Sequence, residues 1–510
     1  AINIVLDIPF PLLMSSGADQ ADQHPDQGPV PQNHEGVWAT RPSQQVPQSD
    51  ETEGSVVENK TASPKTNIPK GIPILLQSRQ ALVHQIVKQL QWRRVQRPKS
   101  NHFTLLRPTS DQEWSLAWVD LADTQFYNAI RPQQRANQIP GMEQLSRKKN
   151  LCRNLNAMRC AFPDDYDIYP QSWCWPEQSA SVRRYMTEEV AAGHRPTLIM
   201  KPDGRCQGRG IFLTRKVNLI DQNESQVCQV YMPSPYLING LKFDLRLYAI
   251  LASVDPLRIY LYHDGLVRFC TEPYRHPTTE NISHVFMHLT NYAINKASTQ
   301  FEFNEDADVS GHGSKWTFCS FIEWLKGNDK ESDSTMLWTR IQDVVVKTVI
   351  AASSNLRHQY RVRFPADEDG AITFQLLGLD IMLDSNLKPY IVEVNRNPSL
   401  RCDTPLDSQV KGAMLKDLFS IVRPTPCQPS QRQTNLTGNE RQLNRAIKVG
   451  QRRDLELERS KSTGFQRIFP LDTEIGSEDP NAGYVKFIEY ANYKFTSTSI
   501  QRQGTNRREP

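Results

Sequence analysis

The 510-residue chain is long enough for two or three folded units, and its hydrophobic content of 38% is low enough to predict unfolded segments as well. A net charge of +4 gives no reason to expect a nucleic-acid partner. No apolar run reaches the roughly 18 residues that span a bilayer, so we expect no membrane partner. The nine cysteines form no C-x-x-C pair, which favours reduced thiols in a cytosolic protein over a zinc site or a disulfide framework.

The N-terminal part of the chain, residues 1–70, is predicted to be a disordered tail. It opens with an apolar stretch, 1–14, that Asp7 and two prolines interrupt, and we interpret this stretch as a tail or a fragment edge rather than a signal peptide. Residues 15–70 are rich in Gln, Pro, Asp, Ser and Glu and show no hydrophobic periodicity. Such a segment cannot bury enough apolar surface to offset its chain entropy.

Order is predicted to begin near Ile72, and residues 71–196 are assigned to an N-terminal and a central subdomain. The spacing of apolar residues predicts a helix over 80–95, and alternation over 114–119 predicts a strand. Residues 146–158 have the composition of a basic helix.

Residues 197–425 are predicted to form the main folded core. The predicted strands lie at 197–200, 210–213, 227–231, 245–254, 258–262, 374–383 and 389–394, and a helix is predicted over 339–356. Strands interleaved with helices indicate an α/β (α+β) fold. The last region, 426–510, is a charged extension that we expect to be partly helical, at 438–461, or disordered.

The most informative segment for chemistry is a predicted hairpin whose turn is centred between Asn386 and Leu387. With that centre, Asp380 faces Glu393 across the hairpin, and Asn395 points to the same side as Glu393. Three oxygen-bearing side chains then converge, and oxygen is the donor that Mg²⁺ prefers. The alternative is a pair of edge-strand carboxylates facing water, but acids among Leu, Ile, Met and Val need a metal or a cation.

A glycine-rich basic loop follows the strand that carries Lys201, in the sequence KPDGRCQGRGI. Glycines let backbone N–H groups approach phosphate oxygens, and Lys201 and Arg209 add positive charge. The loop joins two strands and lacks the P-loop pattern, so it indicates a flap over a nucleotide. An ordinary hairpin loop explains this segment equally well when it is taken alone.

Charged and apolar residues alternate in the sequence KFDLR, so Lys242, Asp244 and Arg246 lie on one face of a predicted strand. Such alternation usually marks a solvated face, but the strand continues as an apolar run that favours burial on both sides. Arg268 follows a predicted turn at 263–265 and lies on the neighbouring strand. Arg246 and Arg268 are therefore candidates to clamp a carboxylate or a transferring phosphoryl group.

The segment HLTNYAINK, residues 288–296, carries two short hydrogen-bonding side chains, Thr290 and Asn291. Taken alone, it is best interpreted as a polar loop.

In their joint order, these segments resemble the tubulin–tyrosine-ligase-like family. The matching motifs are KP…QGRGI, KFDLR, MHLTNY, GLDI and VEVN…PSL, and the resemblance covers roughly residues 114–422. Each motif alone has low specificity, whereas the ordered set is highly specific. The resemblance implies an ATP-grasp fold, in which the subdomains of 71–196 precede a catalytic core over 197–425.

The resemblance also implies a site for ATP and Mg²⁺. Lys201 would bind the phosphates, and Arg268 would stabilise charge on the transferring phosphoryl group. The other implied nucleotide contacts are Gln207, Gly208, Arg209, Gly210 and Ile211 in the loop, Gln229, Val230, Tyr231 and Met232 at an adenine hinge, and Lys242, Asp244, Thr290 and Asn291. The implied Mg²⁺ ligands are Asp380, Glu393 and Asn395.

The activity that the resemblance implies is ATP-dependent amino-acid ligation. ATP would phosphorylate an acceptor side-chain carboxylate, and the amine of free L-glutamate would then attack the acylphosphate and form an isopeptide bond. Arg246 would hold the carboxylate of the incoming amino acid. The further contacts implied for the amino acid or the acidic acceptor are Tyr292, Lys315, Arg396 and Lys411.

Within the family, the sequence resembles the polyglutamylase subgroup best, through PLRI…VRF, CDTPLD and GFQRIFP. This implies a monomer that modifies tubulin or microtubules in the cytoplasm and cytoskeleton, with the cilium or basal body as a further location. The basic segments 92–99, 146–153 and 438–461 are candidates to attract an acidic tail, or are solvated helices. Tubulin glycylation, glutamylation of another acidic protein, and a catalytically silent microtubule-binding protein stay open.

Overall fold

The computed structural model describes residues 70–95, 114–131, 133–205, 207–303, 313–329, 333–424, 437–472 and 478–506. The predicted tail lies outside these ranges apart from Lys70. Strands in the described residues form three sheets with helices between them, so the predicted α/β (α+β) class is confirmed. In the same residues, no helix has both the length and the apolar character needed to cross a membrane.

The N-terminal sheet is parallel and has the strand order β2-β1-β3-β4. Its strands are β1 (Pro73–Gln77), β2 (Arg93–Val95), β3 (Leu116–Val119) and β4 (Arg135–Ala136). Helix α1 (Ala81–Gln89) buries Leu82, Val83, Ile86 and Val87. The helix predicted over 80–95 is wrong in its last turns, because Gln91 adopts a φ of 54° and β2 then pairs with β1.

The second sheet is antiparallel and has the order β5-β8-β6-β7. Its strands are β5 (Ser172–Trp175), β6 (Leu198–Pro202), β7 (Phe212–Thr214) and β8 (Gln226–Val230). Before this sheet, the chain forms the helices α2 (Thr124–Ala129), α3 (Glu143–Ser146) and the predicted basic helix α4 (Lys148–Ala161). Helix α5 (Ser179–Ala191) connects β5 to β6. Strand β5 precedes residue 197, so the sheet that carries Lys201 begins upstream of the predicted core boundary.

The central sheet is antiparallel, with the order β12-β11-β10-β13-β14, and β9 and β15 pair with β10 and β11. Its strands are β9 (Leu237–Ile238), β10 (Leu241–Val254), β11 (Leu257–Phe269), β12 (Lys315–Thr317), β13 (Gln375–Leu383), β14 (Pro389–Asn395) and β15 (Phe465–Phe469). The predicted turn at 263–265 is wrong, because β11 runs through it. Gly265 permits close strand contact here, since a Cβ atom would lie 2.5 Å from the Arg246 carbonyl oxygen.

Helices cover the central sheet and extend the chain beyond it. They are α6 (Val285–His288), α7 (Tyr292–Asn295), α8 (Phe318–Asn328), α9 (Ser334–Arg363), α10 (Pro405–Val422), α11 (Gly438–Lys461) and α12 (Ala482–Asn506). Helix α10 packs its Leu418 and Phe419 into a core with Tyr248 and Ile250 of β10. This packing fixes β10, the strand that carries Arg246, from one face.

One buried carboxylate anchors helix α11 to the rest of the structure. Glu456 accepts hydrogen bonds from Arg258 Nε at 2.9 Å and from the Tyr260 hydroxyl at 3.2 Å, and Arg135 Nη2 lies 3.5 Å away. Burial would raise the pKa of Glu456, but the two guanidinium groups outweigh burial and lower it. Arg135 lies on β4 of the N-terminal sheet and Arg258 lies on β11 of the central sheet. Glu456 therefore connects helix α11 to both sheets.

Replacing Glu456 by alanine should destabilise the protein by about 3–5 kcal/mol, because two arginines would lose their shared buried counter-charge. Urea unfolding followed by circular dichroism measures this loss. Glu458→Ala is the matched control in the same helix, since the Glu458 side chain is 69% exposed and pairs with Lys461 one turn away. That control should cost less than about 1 kcal/mol; equal losses in both variants would contradict the anchoring role.

Candidate active site

Paired charges cross the central sheet from β12 to β10. Lys315 lies opposite Arg268, and Arg268 lies opposite Asp244. Arg268 donates two hydrogen bonds to the Asp244 carboxylate, at 2.7 and 2.6 Å. Lys242 and Asp244 are buried, so the alternating residues of β10 face the interior and not solvent.

A second set of paired charges continues across β10, β13 and β14. Arg246 lies opposite Asp380, and Asp380 lies opposite Glu393. Arg246 donates to both oxygens of Asp380 at 2.5 and 3.0 Å, and Arg268 Nη2 also lies 3.0 Å from Asp380. Burial alone would raise the pKa of Asp380, but the two guanidinium groups lower it to about 2. The Asp380 carboxylate is therefore ionised throughout the physiological pH range.

The β13–β14 hairpin brings Glu393 opposite Asp380 as predicted, but its turn centre and its register differ from the prediction. Near the turn, Leu383 pairs with Pro389, which centres the turn on Asn386. A bulge next to Asp380 then shifts the register by one residue. The predicted pairing of the two carboxylates is confirmed, and the predicted turn centre is wrong because alternation in the sequence does not reveal a bulge.

The oxygen donors at this hairpin fit a hard cation. Asp380 has about four acceptor positions, and its two arginines occupy three of them. Glu393 approaches Lys148 Nζ only at 3.8 Å, beyond hydrogen-bond range. Asn395, opposite Gly378, has a buried amide nitrogen without a hydrogen-bond partner among the described residues, so its amide can be turned.

The described residues contain no group of three or more His, Cys, Asp or Glu side chains that could hold a metal ion by themselves. The predicted metal site therefore consists of two carboxylates and one amide. Such a site suits Mg²⁺, which keeps several waters and takes further oxygens from substrate phosphates.

A cleft beside the charged strands collects most of the predicted nucleotide contacts. The predicted residues that line it are Lys201, Ile211, Gln229, Val230, Tyr231, Met232, Lys242, Asp244, Thr290, Asn291, Asp380 and Glu393. Lys201 Nζ donates to Gln229 Oε1 at 2.6 Å, and the Thr290 hydroxyl donates to Asp244 Oδ2 at 2.7 Å. The residues interpreted singly as a polar loop and a hairpin loop thus meet at one site.

The glycine-rich loop lies next to the segment that carries Asn291. Gln207, Gly208 and Gly210 have φ values of 62°, 77° and 74°, which suit glycine and strain other residues. A Cβ atom on Gly208 would lie 2.6 Å from Ile294 Cδ1 and 3.0 Å from Asn291 Oδ1. Gly208 is therefore required for the close approach of the loop to the wall of the cleft, while Arg209 is exposed at its tip.

Three of the five residues predicted to contact the amino acid lie around one carboxylate, Asp407. Lys315 and Lys411 each place an ammonium group 2.8 Å from Asp407, and the Tyr292 ring lies 3.6 Å from Lys315 Nζ. Sequence reasoning missed Asp407. Asp407 belongs to the CDTPLD motif, which carried only the subgroup resemblance, and in the structure Thr404 caps α10 by accepting from the Asp407 backbone N–H.

Arg396 is not part of this cluster of lysines. It follows the last residue of β14, and its charge lies near the Tyr127 hydroxyl, whose pKa burial raises to about 12. Arg396 also does not line the cleft. Its predicted contact with the amino acid stays a prediction.

A comparison with protein families matches the tubulin-tyrosine ligase family over residues 128–431, more than half of the chain. The chain belongs to the tubulin-tyrosine ligase family. The predicted resemblance is confirmed, and the fold of this family member is ATP-grasp-like.

Several curated proteins are similar to this family member. It is 39% identical to a probable beta-tubulin polyglutamylase of Tetrahymena thermophila, over 74% of this chain and 32% of that protein. It is 36% identical to a tubulin polyglutamylase of Danio rerio, over 80% and 52% of the two chains, and 41% identical to one of Mus musculus, over 62% and 38%. The chain thus spans about a third to a half of the length of these relatives.

The affinity of this family member for ATP should fall as the pH rises above about 8. Burial lowers the pKa of Lys201 and of Lys242 to about 8, so both ammonium groups start to lose their charge there. Asp380, with a pKa of about 2, and His288, with a pKa of about 4, do not change charge in this range. Calorimetric titration with a non-hydrolysable ATP analogue between about pH 7 and about pH 9.5 measures the effect.

Lys201→Met is the control for this titration, because it should weaken binding at pH 7 and remove part of the pH dependence. An affinity that stays constant in the wild-type protein across the range would contradict the placement of the two lysines at the phosphates.

Proposed function

We propose that the chain is an ATP-dependent ligase that joins free L-glutamate, through an isopeptide bond, to glutamate side chains in tubulin C-terminal tails. The observation that carries the proposal is one cleft that combines a basic glycine-rich loop, two buried lysines and the Asp380–Glu393 pair. The names of the similar proteins, all tubulin polyglutamylases, support glutamate and tubulin as substrates.

The proposed reaction has two chemical steps. The γ-phosphoryl group of ATP passes to a side-chain carboxylate oxygen of the acceptor, ADP leaves, and an acylphosphate forms. The amine of glutamate then attacks the carbonyl carbon, the C–O bond to phosphate breaks, and the surplus proton of the amine leaves with the phosphate. Both steps depend on positioning and charge neutralisation, which fits a cleft built from paired charges and needs no nucleophilic side chain.

Each charged group of the cleft has a part in this scheme. Lys201 and backbone N–H groups of the glycine-rich loop bind the phosphates. Asp380, Glu393 and Asn395 hold Mg²⁺, which when bound neutralises phosphate charge. Arg268 contacts Asp244 and Asp380, which line the cleft, and stabilises charge on the transferring group.

Selection of an acidic amino acid follows from charge. Arg246 binds one carboxylate of glutamate; it lies on the same strand as Lys242 and donates to Asp380, which lines the cleft. We assign the second carboxylate of glutamate to the basic cluster in which Lys315 and Lys411 each lie 2.8 Å from Asp407. Glycine has only one carboxylate and would make no use of this cluster, which favours glutamylation over glycylation.

Glu393→Gln should abolish ligation while leaving the fold nearly unchanged. The amide keeps the size of the side chain but removes one negative charge from the Mg²⁺ site, and the Glu393 side chain loses only a long ion pair with Lys148, at 3.8 Å. Turnover with tubulin measures activity, and urea unfolding measures stability. Wild-type turnover in this variant would refute the role of Glu393 as a metal ligand.

The choice of amino acid is tested by incubating the chain with tubulin, ATP and a mixture of labelled glutamate, glycine and tyrosine. Mass spectrometry of the tubulin tails should find added glutamate and neither of the other two. Added glycine would establish a glycylase, and added label on an acidic protein in place of tubulin would change the acceptor. No label on any acceptor, with Glu393→Gln as the blank, would favour a catalytically silent protein.

A further inference from the structure

Three buried residues that line the cleft, Lys242, Tyr231 and His288, form a hydrogen-bonded trio. Lys242 Nζ donates to the Tyr231 hydroxyl at 2.8 Å and to the His288 carbonyl oxygen at 2.7 Å. The Tyr231 hydroxyl lies 3.0 Å from His288 Nδ1, and His288 Nε2 lies 3.0 Å from the Asn281 carbonyl oxygen. Lys242 and Tyr231 are each 3% exposed and His288 is 1% exposed.

The direction of every hydrogen bond in the trio follows from its chemistry. A carbonyl oxygen only accepts, so His288 Nε2 carries a proton and donates to Asn281. Burial and the nearby Lys242 lower the pKa of His288 to about 4, so the ring is neutral and Nδ1 carries no proton. Nδ1 is then an acceptor for the Tyr231 hydroxyl, whose oxygen accepts from the Lys242 ammonium group. The Tyr274 hydroxyl also neighbours Tyr231 and donates to the Pro233 carbonyl oxygen.

This chain of donors limits the orientation of Lys242. An ammonium group has three donors, and the Tyr231 hydroxyl and the His288 carbonyl take two of them. The ammonium group also lies 4.2 Å from the centroid of the Tyr231 ring. The third N–H is therefore left for a ligand in the cleft. The two hydrogen bonds restrain a side chain that is flexible by itself.

We propose that His288 and Tyr231 are positioning residues for nucleotide binding: the neutral His288 ring orients the Tyr231 hydroxyl, and that hydroxyl orients Lys242 towards the nucleotide. The inference rests on the proposed function, because it takes the cleft as the ATP site. The Tyr231 side chain thereby has a role in addition to the contact at the adenine hinge that the family resemblance implies. His288 belongs to the HLTNY segment, which sequence reasoning interpreted without assigning a role to the imidazole.

The test is calorimetric binding of a non-hydrolysable ATP analogue, together with steady-state kinetics, on the full chain and three variants. Tyr231→Phe keeps the ring and removes the hydroxyl. His288→Asn places an amide oxygen near the position of Nδ1, whereas His288→Gln places its amide nearer the position of Nε2 and leaves Tyr231 without its acceptor. Thermal unfolding of each variant confirms that it is folded.

Tyr231→Phe and His288→Gln should each weaken binding of the analogue about tenfold, the size expected for one hydrogen bond to a charged group. His288→Asn should restore most of this loss. The KM for ATP should rise in parallel with the dissociation constant, while kcat and the KM for glutamate change little. A Tyr231→Phe/His288→Gln double variant should bind no more weakly than Tyr231→Phe alone, because both changes interrupt one path.

Additive losses in the double variant, or equal affinities for His288→Asn and His288→Gln, would overturn the positioning role while the proposed function stands. Failure of the wild-type chain to bind the ATP analogue would overturn the proposed function, and this inference with it. A loss of kcat without a change in the affinity for ATP would place His288 in another role and would also overturn the inference.

Discussion

The structure of the site depends on one buried ion group, in which Asp380 accepts from Arg246 and contacts Arg268. These three residues lie on three neighbouring strands, β13, β10 and β11, of the central sheet. A buried charge is tolerated only when it is paired, so each member of the group requires the others. The consequence is that Asp244 and Lys315 on one side and Glu393 on the other are aligned in register with this group.

The same constraint explains why the cleft is suited to an anion. Lys201 and Lys242 are buried, and in the described residues their ammonium groups donate to neutral oxygens of Gln229, Tyr231 and His288. Burial lowers the pKa of both lysines by more than the nearby charges of Glu393, for Lys201, and Asp244, for Lys242, raise it. A polyphosphate would bring negative charge next to both lysines. The site is therefore preorganised for an anion, and binding of the anion would offset the free-energy cost of burying the two ammonium groups.

Strand periodicity made much of this arrangement predictable. The predicted pairing of Asp380 with Glu393 is present, because the bulge offsets the error in the predicted turn centre. The common face of Lys242, Asp244 and Arg246 follows from alternation. The strands of the core begin and end within a few residues of their predicted limits, except where 258–262 proved to be the first part of β11. These features depend on local sequence, which is why they can be read from it.

Features that depend on contacts between distant segments were not predictable. The bulge in the hairpin and the continuous strand through 263–265 depend on neighbouring strands. The place of Asp407 in the site depends on Lys315, which is 92 residues away in the sequence. The anchoring of α11 through Glu456 depends on two arginines that lie on two different sheets. The sequence of a highly charged helix does not show which of its acidic residues is buried.

The central claim is that the Asp380–Glu393 pair holds a divalent cation next to the nucleotide. Crystals grown with Mn²⁺ in place of Mg²⁺ and with a non-hydrolysable ATP analogue test it directly, because anomalous scattering locates Mn²⁺ independently of the fold. The account predicts an anomalous peak within about 2.0–2.3 Å of carboxylate oxygens of both Asp380 and Glu393 and of phosphate oxygens of the analogue. A metal bound elsewhere, or a nucleotide bound outside this cleft, would contradict it.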